Sequence, residues 1–309
     1  MKNCILSLMS GYKTSDNILA FIKSAKRTYE PKDIDLIILY KDISPTVIED
    51  VKKTYPELIL EDYSSYYKRF KIENKLSVYH VKYIIIQFFF KEILKEKYNF
   101  ILLSDINDVY IQDDVFSQRG LNEINFFAEP LNLGQSKINL NKYKSCYSRD
   151  VIQIDKHKKV INNGVILVKH ESLLSYLDLY IKELLTKIAI CKTSNADQAI
   201  LTYCVHHYFN TWNNVTVHNS PNKLCVHLAQ PHKLGILNES TSFTDNKINY
   251  LGLSPCIIHQ YNRSESLTKF IFNQFGLTYK KPRLTEEFSN KLKRILSRLR
   301  TEIIAISKT

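Results

Sequence analysis

Two aspartates, Asp105 and Asp108, stand three residues apart directly after the apolar run 100–103. Carboxylate oxygens are the ligands that Mg²⁺ and Mn²⁺ prefer, and these ions keep open positions for substrate phosphates. A short, continuous apolar run is typical of a central parallel strand, and open α/β sheets bind ligands beyond the carboxyl ends of such strands. The pair therefore favours a metal site. The alternative is a turn whose aspartates cap a short helix near residues 113–114.

Three more polar clusters follow at the edges of apolar segments. An Asn-Asn-Gly segment at 162–164 precedes an apolar run, and Asp197 and Gln198 open a helical pattern. The segment 259–263, His-Gln-Tyr-Asn-Arg, closes an apolar strand. Each cluster alone also fits a structural role, namely a turn, a helix cap and a strand end. Their joint occurrence in this order favours a functional site.

The stretch 91–116 resembles the helix, strand and metal turn of GT-A-fold glycosyltransferases. More narrowly, the chain is similar to a group of nucleotide-sugar transferases whose turn reads S/T-D-x-R-D-V-x-x-Q. That group also shows an N-x-G segment, a D-Q pair that opens a helix and a late H-Q-Y-D-R motif. This chain matches these motifs in order at 104–112, 162–164, 197–198 and 259–263. The resemblance spans about residues 3–263 and implies a GT-A-like α/β fold, with a mostly parallel sheet flanked by helices.

Two positions depart from the group's pattern. Asn107 stands where the group usually has an arginine, so no fixed positive charge lies beside the metal turn. Contacts to the donor phosphates then differ or come from Lys82 instead. Asn262 stands where the group usually has an aspartate, which removes a carboxylate from the late motif.

The resemblance implies a metal centre and a donor site. Asp105 and Asp108 would hold Mn²⁺ or Mg²⁺, directly or through water, and His259 would complete the site as a neutral imidazole ligand or contact the diphosphate. Asp197 is the candidate catalytic carboxylate near the anomeric carbon, with Gln198 beside it. The residues expected to bind the nucleotide, the diphosphate and the sugar of the donor are Ser7, Tyr12, Lys82, Asn163 and Arg263.

These motifs predict a metal-dependent glycosyltransferase that uses a nucleotide diphosphate sugar, with UDP-sugars favoured. Its acceptor would be a saccharide or a lipid-linked saccharide in surface polysaccharide (O-antigen or capsule) synthesis. The two departures leave a non-catalytic carbohydrate- or nucleotide-binding protein of the same fold as an alternative. A nucleotidyltransferase is another alternative, but its Gly-rich basic loop is missing after the first strand. A pI near 9.2 suggests nucleic acid, yet no recognition motif is present, and we expect no such partner.

Strand-like and helix-like segments alternate along the chain, as in a mostly parallel sheet. The pattern predicts strands at 4–9, 34–40, 58–60, 100–103, 125–128, 160–168 and 256–260. It predicts helices at 16–29, 45–55, 74–96, 171–189 and 196–208. Residues 131–159 show no clear pattern and are interpreted as an irregular insertion that serves as a functional loop or lid.

Charge is concentrated toward the end of the chain. We expect a catalytic domain at 1–263 and a basic amphipathic helical tail at 264–309. Residues 265–309 carry ten Lys or Arg and four Glu, which supply +6 of the net +12. The segment 284–304 has apolar residues at helical spacing with basic residues between them. Through 284–309, this helix would make a peripheral contact with anionic lipid at the inner face of the membrane, or pack its apolar stripe on the domain.

Glycine and cysteine usage restricts the chemistry further. The seven glycines form neither G-x-G-x-x-G nor a Walker A loop. The six cysteines form no C-x-x-C pair, which favours reduced thiols over disulfides or a zinc site. No apolar run approaches the roughly 20 residues of a membrane span, and no export signal is evident. We therefore expect a cytoplasmic protein, in which the sequons at Asn214, Asn238 and Asn262 stay unused.

Overall fold

The computed structural model describes residues 1–12, 14–66, 77–94, 96–191 and 196–279, without the side chain of Asn238. The strands are β1 (Asn3–Ser10), β2 (Ile34–Lys41), β3 (Ile59–Asp62), β4 (Phe100–Ser104), β5 (Val109–Ile111), β6 (Ile124–Asn132), β7 (Lys159–Lys169), β8 (Val215–His218), β9 (Cys225–His227), β10 (Thr241–Thr244), β11 (Lys247–Tyr250) and β12 (Ile257–His259). The helices are α1 (Asp16–Thr28), α2 (Pro45–Thr54), α3 (Val78–Phe88), α4 (Lys137–Lys144), α5 (Arg149–Asp155), α6 (His170–Ile188), α7 (Asp197–His207), α8 (Ala229–Lys233), α9 (Leu237–Ser240) and α10 (Glu265–Gln274). A π-helical turn, Phe89–Ile93, continues α3, and 3₁₀ turns lie at Leu133–Gln135, Phe209–Thr211 and Tyr261–Arg263.

The central sheet has seven strands in the order β3-β2-β1-β4-β7-β6-β8. Neighbouring strands run parallel, except that β7 is antiparallel to both β4 and β6. All of β4 and nearly all of β7 is buried, as expected of strands that helices cover on both faces. The prediction of a mostly parallel α/β sheet flanked by helices is confirmed.

Two apolar clusters cover the two faces of this sheet. Alternate residues of β1 enter different clusters, with Leu6 in one and Ile5 in the other. The first cluster contains α3, α6 and α7, including the buried Tyr83, and the second contains α1 and α2. Helix α1 forms because its apolar residues recur at helical spacing, so that one face is buried. The residues that α1 buries there include Ile18, Phe21, Ile22 and Ala25.

A smaller sheet, in the order β5-β12-β9, lies beyond the turn that follows β4. Tyr110 of β5, Ile258 of β12 and Ile271 of α10 share its apolar cluster, and Arg27 of α1 donates a 2.7 Å hydrogen bond to the hydroxyl of Tyr110. Helix α10, which falls in the predicted tail, therefore packs against this sheet. The boundary expected at residue 263 stays a prediction, and the helix expected at 284–304 lies outside the described residues.

The predicted irregular insertion at 131–159 is wrong in part, because it contains α4 and α5. Helix α4 was not predicted because an apolar residue is exposed in it and a polar residue is buried: Ile138 is 51% exposed, whereas Asn139 is 7% exposed. The pattern also missed β5, β8 to β11 and α8 to α10, most of which span only three to five residues. Elements this short carry too little periodicity to be recognised.

Cys146 and Cys191 form a disulfide, so the expectation that every cysteine is a reduced thiol is wrong for this pair. The two residues lie 45 positions apart in sequence but only 4.5 Å apart between Cα atoms, a proximity that spacing alone does not reveal. The other four cysteines are buried and free. The expectation of a reducing, cytoplasmic setting rested in part on unpaired thiols, and the disulfide removes that part of its support. Within the described residues, no helix combines the length and the apolar character needed to cross a bilayer.

Candidate active site

A cleft of about 410 Å³ opens where β1 and β4 end, beside the middle of β7. Ser7 does not reach it, because this residue is 1% exposed inside β1. Strand β1 continues to Ser10, and that serine lines the cleft instead. Nine of the ten predicted site residues do line it, namely Tyr12, Lys82, Asp105, Asp108, Asn163, Asp197, Gln198, His259 and Arg263.

Asp105, Asp108 and His259 meet at the floor of the cleft. One ligand atom from each side chain can be chosen so that all three lie within 4.8 Å of one another. Asp105 follows β4, and Asp108 precedes β5. The antiparallel pairing of β5 and β12 sets His259 opposite Val109, so Nε2 of His259 lies 3.4 Å from Oδ1 of Asp108 and 3.9 Å from Oδ2 of Asp105. Strand pairing therefore assembles a possible metal centre from three separate segments.

Gly164 leaves the space that this centre needs. Its carbonyl accepts a 2.7 Å hydrogen bond from the backbone N–H of Asp105. A Cβ added at Gly164 would lie 2.3 Å from Cε1 of His259 and 2.7 Å from Oδ2 of Asp105. Two carboxylates and one imidazole around this space are a donor set that a divalent cation such as Mn²⁺ accepts, and they leave further positions open. The residues present fit a divalent cation.

The segment that carries Gly164 is a bulge of β7. Between two paired positions β7 advances from Ile166 to Ile161, while β6 advances only from Phe126 to Ala128. The Asn-Asn-Gly segment 162–164, for which a turn was an alternative, lies in this bulge. Bulges are common beside active sites because they redirect side chains out of the regular pleat.

Basic side chains surround the two carboxylates. Nζ of Lys82 lies 2.8 Å from Oδ1 of Asp105, and only 12% of the Lys82 side chain is exposed. Burial raises the pKa of Asp108, but its interactions with His259, Arg263 and Lys82 outweigh that effect and hold the pKa below its usual value. Asp108 is therefore a carboxylate at neutral pH. Lys82 supplies positive charge beside the turn that contains Asn107.

Asn163 and Asp197 form the opposite wall of the cleft. Nδ2 of Asn163 donates a 2.8 Å hydrogen bond to Oδ2 of Asp197, and Oδ1 of Asn163 accepts a hydrogen bond from the hydroxyl of Tyr83. The hydroxyl of Tyr180 donates to the backbone carbonyl of Asp197 at 3.0 Å. Both polar atoms of the Asn163 amide thus have partners, and its evident effect is to orient Asp197.

Glu129 was missed by the sequence reasoning, although it organises this wall. It is 4% exposed and accepts hydrogen bonds at 2.9–3.2 Å from four amide nitrogens, those of Asn139, Asn162, Gln198 and Gln230. A carboxylate can only accept, so each amide must turn its nitrogen toward Glu129. Gln198 lines the cleft, and no described residue donates to its Oε1, so this atom can accept a hydrogen bond from a ligand hydroxyl. Glu129 is the first residue beyond the predicted strand 125–128, the same kind of position that drew attention to Asp105.

Three more side chains contribute to the cleft. Burial, followed by the charges of Asp105 and Asp108, raises the pKa of Tyr12, so its hydroxyl stays protonated. Tyr79 at the start of α3 is 56% exposed, and Lys142 extends from α4. These last two were not predicted, because the sequence gives no signal that the two helices face the strand ends.

No protein-family model matches the chain, and no curated protein sequence matches it. Among solved structures, it is similar to the galactosyltransferase LgtC in complex with donor and acceptor sugar analogues, with 13% identity, a TM-score of 0.52 and coverage of 91% of this chain and 98% of that chain. An active-site mutant of LgtC matches with 13% identity, a TM-score of 0.53 and the same coverage.

The chain is also similar to the bifunctional glycosyltransferase WbbM in its apo form. That match has 14% identity and a TM-score of 0.57, and it covers 90% of this chain and 50% of that chain. At such low identity these similarities establish the fold. They confirm the GT-A-like α/β arrangement expected from the sequence.

Proposed function

We propose that this chain is a metal-dependent glycosyltransferase that moves a sugar from a nucleoside diphosphate donor to a saccharide or lipid-linked acceptor. The observation that carries the proposal is the cluster of Asp105, Asp108 and His259, which meets over Gly164 where the parallel strands end. The fold of the chain is similar to those of glycosyltransferases, one of which was solved with donor and acceptor sugar analogues. This similarity supports sugar transfer as the reaction.

The transfer breaks the bond between the anomeric carbon and a diphosphate oxygen, and the electron pair of that bond leaves with the diphosphate. A divalent cation bound by Asp105, Asp108 and His259 supplies Lewis-acid stabilisation for that charge. Lys82 and Arg263 add fixed positive charge at the same edge, and both can donate charge-assisted hydrogen bonds to phosphate oxygens.

The charges that line the cleft also suit this donor. Three carboxylates and three Lys or Arg side chains line it, so their formal charges cancel. A divalent cation then leaves a double positive charge, and a nucleotide sugar carries one negative charge on each of its two phosphates. The groups counted are Asp105, Asp108 and Asp197 against Lys82, Lys142 and Arg263. Donor binding with the cation is therefore electrically balanced.

Asp197 is the carboxylate proposed to act at the anomeric centre. Asn163 and Tyr180 hold its side chain and its backbone, which fixes its direction. In an inverting reaction it would take the proton of the acceptor hydroxyl as that oxygen attacks. In a retaining reaction it would stabilise positive charge at the anomeric carbon. Oε1 of Gln198 would accept a hydrogen bond from a sugar hydroxyl, because Nε2 of Gln198 already donates to Glu129.

The finer assignments follow the same reasoning. Tyr12, close after the end of β1, suits stacking on a pyrimidine, which favours a UDP-sugar. Mn²⁺ suits a site that includes an imidazole beside two carboxylates. A role in surface polysaccharide synthesis and a peripheral membrane contact through 284–309 belong to the same proposal, although 284–309 lies outside the described residues.

Donor turnover with and without metal tests the proposal. We expect UDP-sugar hydrolysis or transfer to require Mn²⁺ or Mg²⁺, and UDP with Mn²⁺ to raise the melting temperature. Asp108→Ala should lower the rate about 10²-fold or more, because charge on the leaving diphosphate loses its stabilisation. Full activity in excess chelator would contradict the proposal.

Asp113→Ala is the matched control. This residue also follows the metal turn, but its carboxylate pairs with Lys247 and does not line the cleft. We expect it to keep the metal-dependent rate. An equal loss in both variants would point to misfolding rather than to a metal centre.

A further inference from the structure

A second histidine lies directly behind the one proposed to bind the metal. His227 ends β9 and His259 ends β12, and the parallel register of these strands sets the two residues side by side. Their Nδ1 atoms are 2.9 Å apart, and their rings are nearly perpendicular at 80°. The backbone N–H of Leu228 donates to the carbonyl of His259 at 3.1 Å, which holds the two strand ends together.

His227 makes this contact out of reach of solvent and substrate. It is 0% exposed and does not line the cleft, whereas His259 is 3% exposed and does. Water therefore does not compete for the hydrogen bond between the two rings. A charged imidazolium at this depth, without an acid beside it, would be strongly unfavourable, so the ring of His227 is neutral.

When each ring carries one proton, one ring donates in this contact and the other accepts. If His227 donates, then Nε2 of His259 keeps a proton that points at Asp105 and Asp108. If His259 donates from Nδ1, its Nε2 presents a lone pair to the space between the carboxylates. Only the second arrangement provides a ligand atom for a cation.

We infer that His227 is a positioning residue: by accepting the Nδ1 proton of His259, it fixes the tautomer and ring direction in which Nε2 faces Asp105 and Asp108 as a metal ligand. The inference rests on the proposed function, because it concerns the cation of that reaction. Metal-binding histidines generally donate their second N–H to a carboxylate, a backbone carbonyl or a water, and the loss of that acceptor weakens metal binding. Here the acceptor is a second imidazole.

Calorimetric Mn²⁺ titration of the full chain without donor tests the inference. We expect His227→Leu to weaken Mn²⁺ binding about 10- to 100-fold, because the Nδ1 proton of His259 loses its acceptor. His227→Asn should stay within about threefold of the wild type, since its Oδ1 can accept from the same place. Cys225→Ala, which removes a buried side chain two residues earlier on β9, is the packing control and should bind Mn²⁺ normally.

The tautomer is read directly from ¹⁵N NMR of the imidazole nitrogens in the Mg²⁺-loaded wild type. We expect the proton of His259 on Nδ1, and this measurement does not require any variant to fold. A proton on Nε2, wild-type affinity in His227→Leu, or an equal loss in Cys225→Ala would each overturn the inference. Wild-type protein that binds no Mn²⁺ would instead refute the proposed function, and the inference with it.

Discussion

Replacing Gly164 by alanine tests the metal centre at its tightest point. The new Cβ would lie 2.3 Å from Cε1 of His259, whereas ordinary contact begins at 3.4 Å, so the two must separate by 1.1 Å (3.4 − 2.3). The side chain of His259 is 3% exposed and has little room to retreat, while that of Asp105 is 45% exposed and can swing outward. The substitution therefore displaces two of the three ligands.

The expected effect on metal binding is large. Metal–ligand distances tolerate errors of only about 0.2 Å, and a misplacement of about 1 Å at a reacting centre costs about 10²-fold. We expect Gly164→Ala to lower Mn²⁺ affinity and turnover about 10²-fold or more. The free energy of unfolding without metal should fall by only about 1–3 kcal/mol, because side-chain ends rather than backbone meet the new methyl group.

Gly134→Ala is the matched control for this experiment. There the added Cβ would lie 2.9 Å from the backbone carbonyl oxygen of Lys156, a close contact at a residue that does not line the cleft. We expect lower stability but unchanged Mn²⁺ affinity, with calorimetry and urea denaturation run on both variants. Wild-type Mn²⁺ affinity in Gly164→Ala would refute the assignment of this space to a cation.

Three further predictions concern the surroundings of the site. Glu129→Gln turns one acceptor oxygen into a donor, so one of the four amides loses its hydrogen-bond partner. We expect kcat to change by a larger factor than the KM for the donor sugar nucleotide. Urea denaturation should show a free energy of unfolding that is lower by about 1–3 kcal/mol. Cys146→Ser removes the disulfide to Cys191, which closes a loop of 45 residues. The chain-entropy model predicts that the free energy of unfolding falls by about 4 kcal/mol. Equal denaturation midpoints of the wild type with and without reductant would exclude the disulfide. Burial lowers the pKa of His206 and His218 below the ordinary 6.5. In acid, the unfolded chain therefore binds more protons than the folded chain, and the free energy of unfolding should fall as the pH is lowered from about 7 to about 5. This fall should be less steep in His218→Gln.

Asp105 and Asp108 could be predicted because their position is a property of one segment. An apolar run long enough for a buried strand ends directly before them, and the edge of an open sheet is where ligands bind. His259 is different, since its distance to the two carboxylates depends on the pairing of β12 with β5, about 150 residues apart in sequence. Only the order of the motifs connected it to the turn.

Other parts of the site leave no local signal. Gly164 was noted only as part of a motif, because its importance lies in the side chains that approach it from β4 and β12. His227 follows two apolar residues in a strand of three, a pattern too short to recognise. The disulfide of Cys146 and Cys191 likewise depends on how α4 and α6 approach each other. Each of these features is a contact between segments that are distant in sequence, and the periodicity of one segment does not predict such contacts.

The position of the candidate site depends on the bulge of β7, where the sheet departs from regular pairing. Deleting the surplus residues around Gly164 would let β6 and β7 pair without interruption and would give a regular sheet. The same deletion would carry Asn162 and Asn163 away from Glu129 and Asp197. A regular β7 would therefore lose this wall of the cleft, so the bulge is the feature to compare when asking whether a distant homologue keeps the same site.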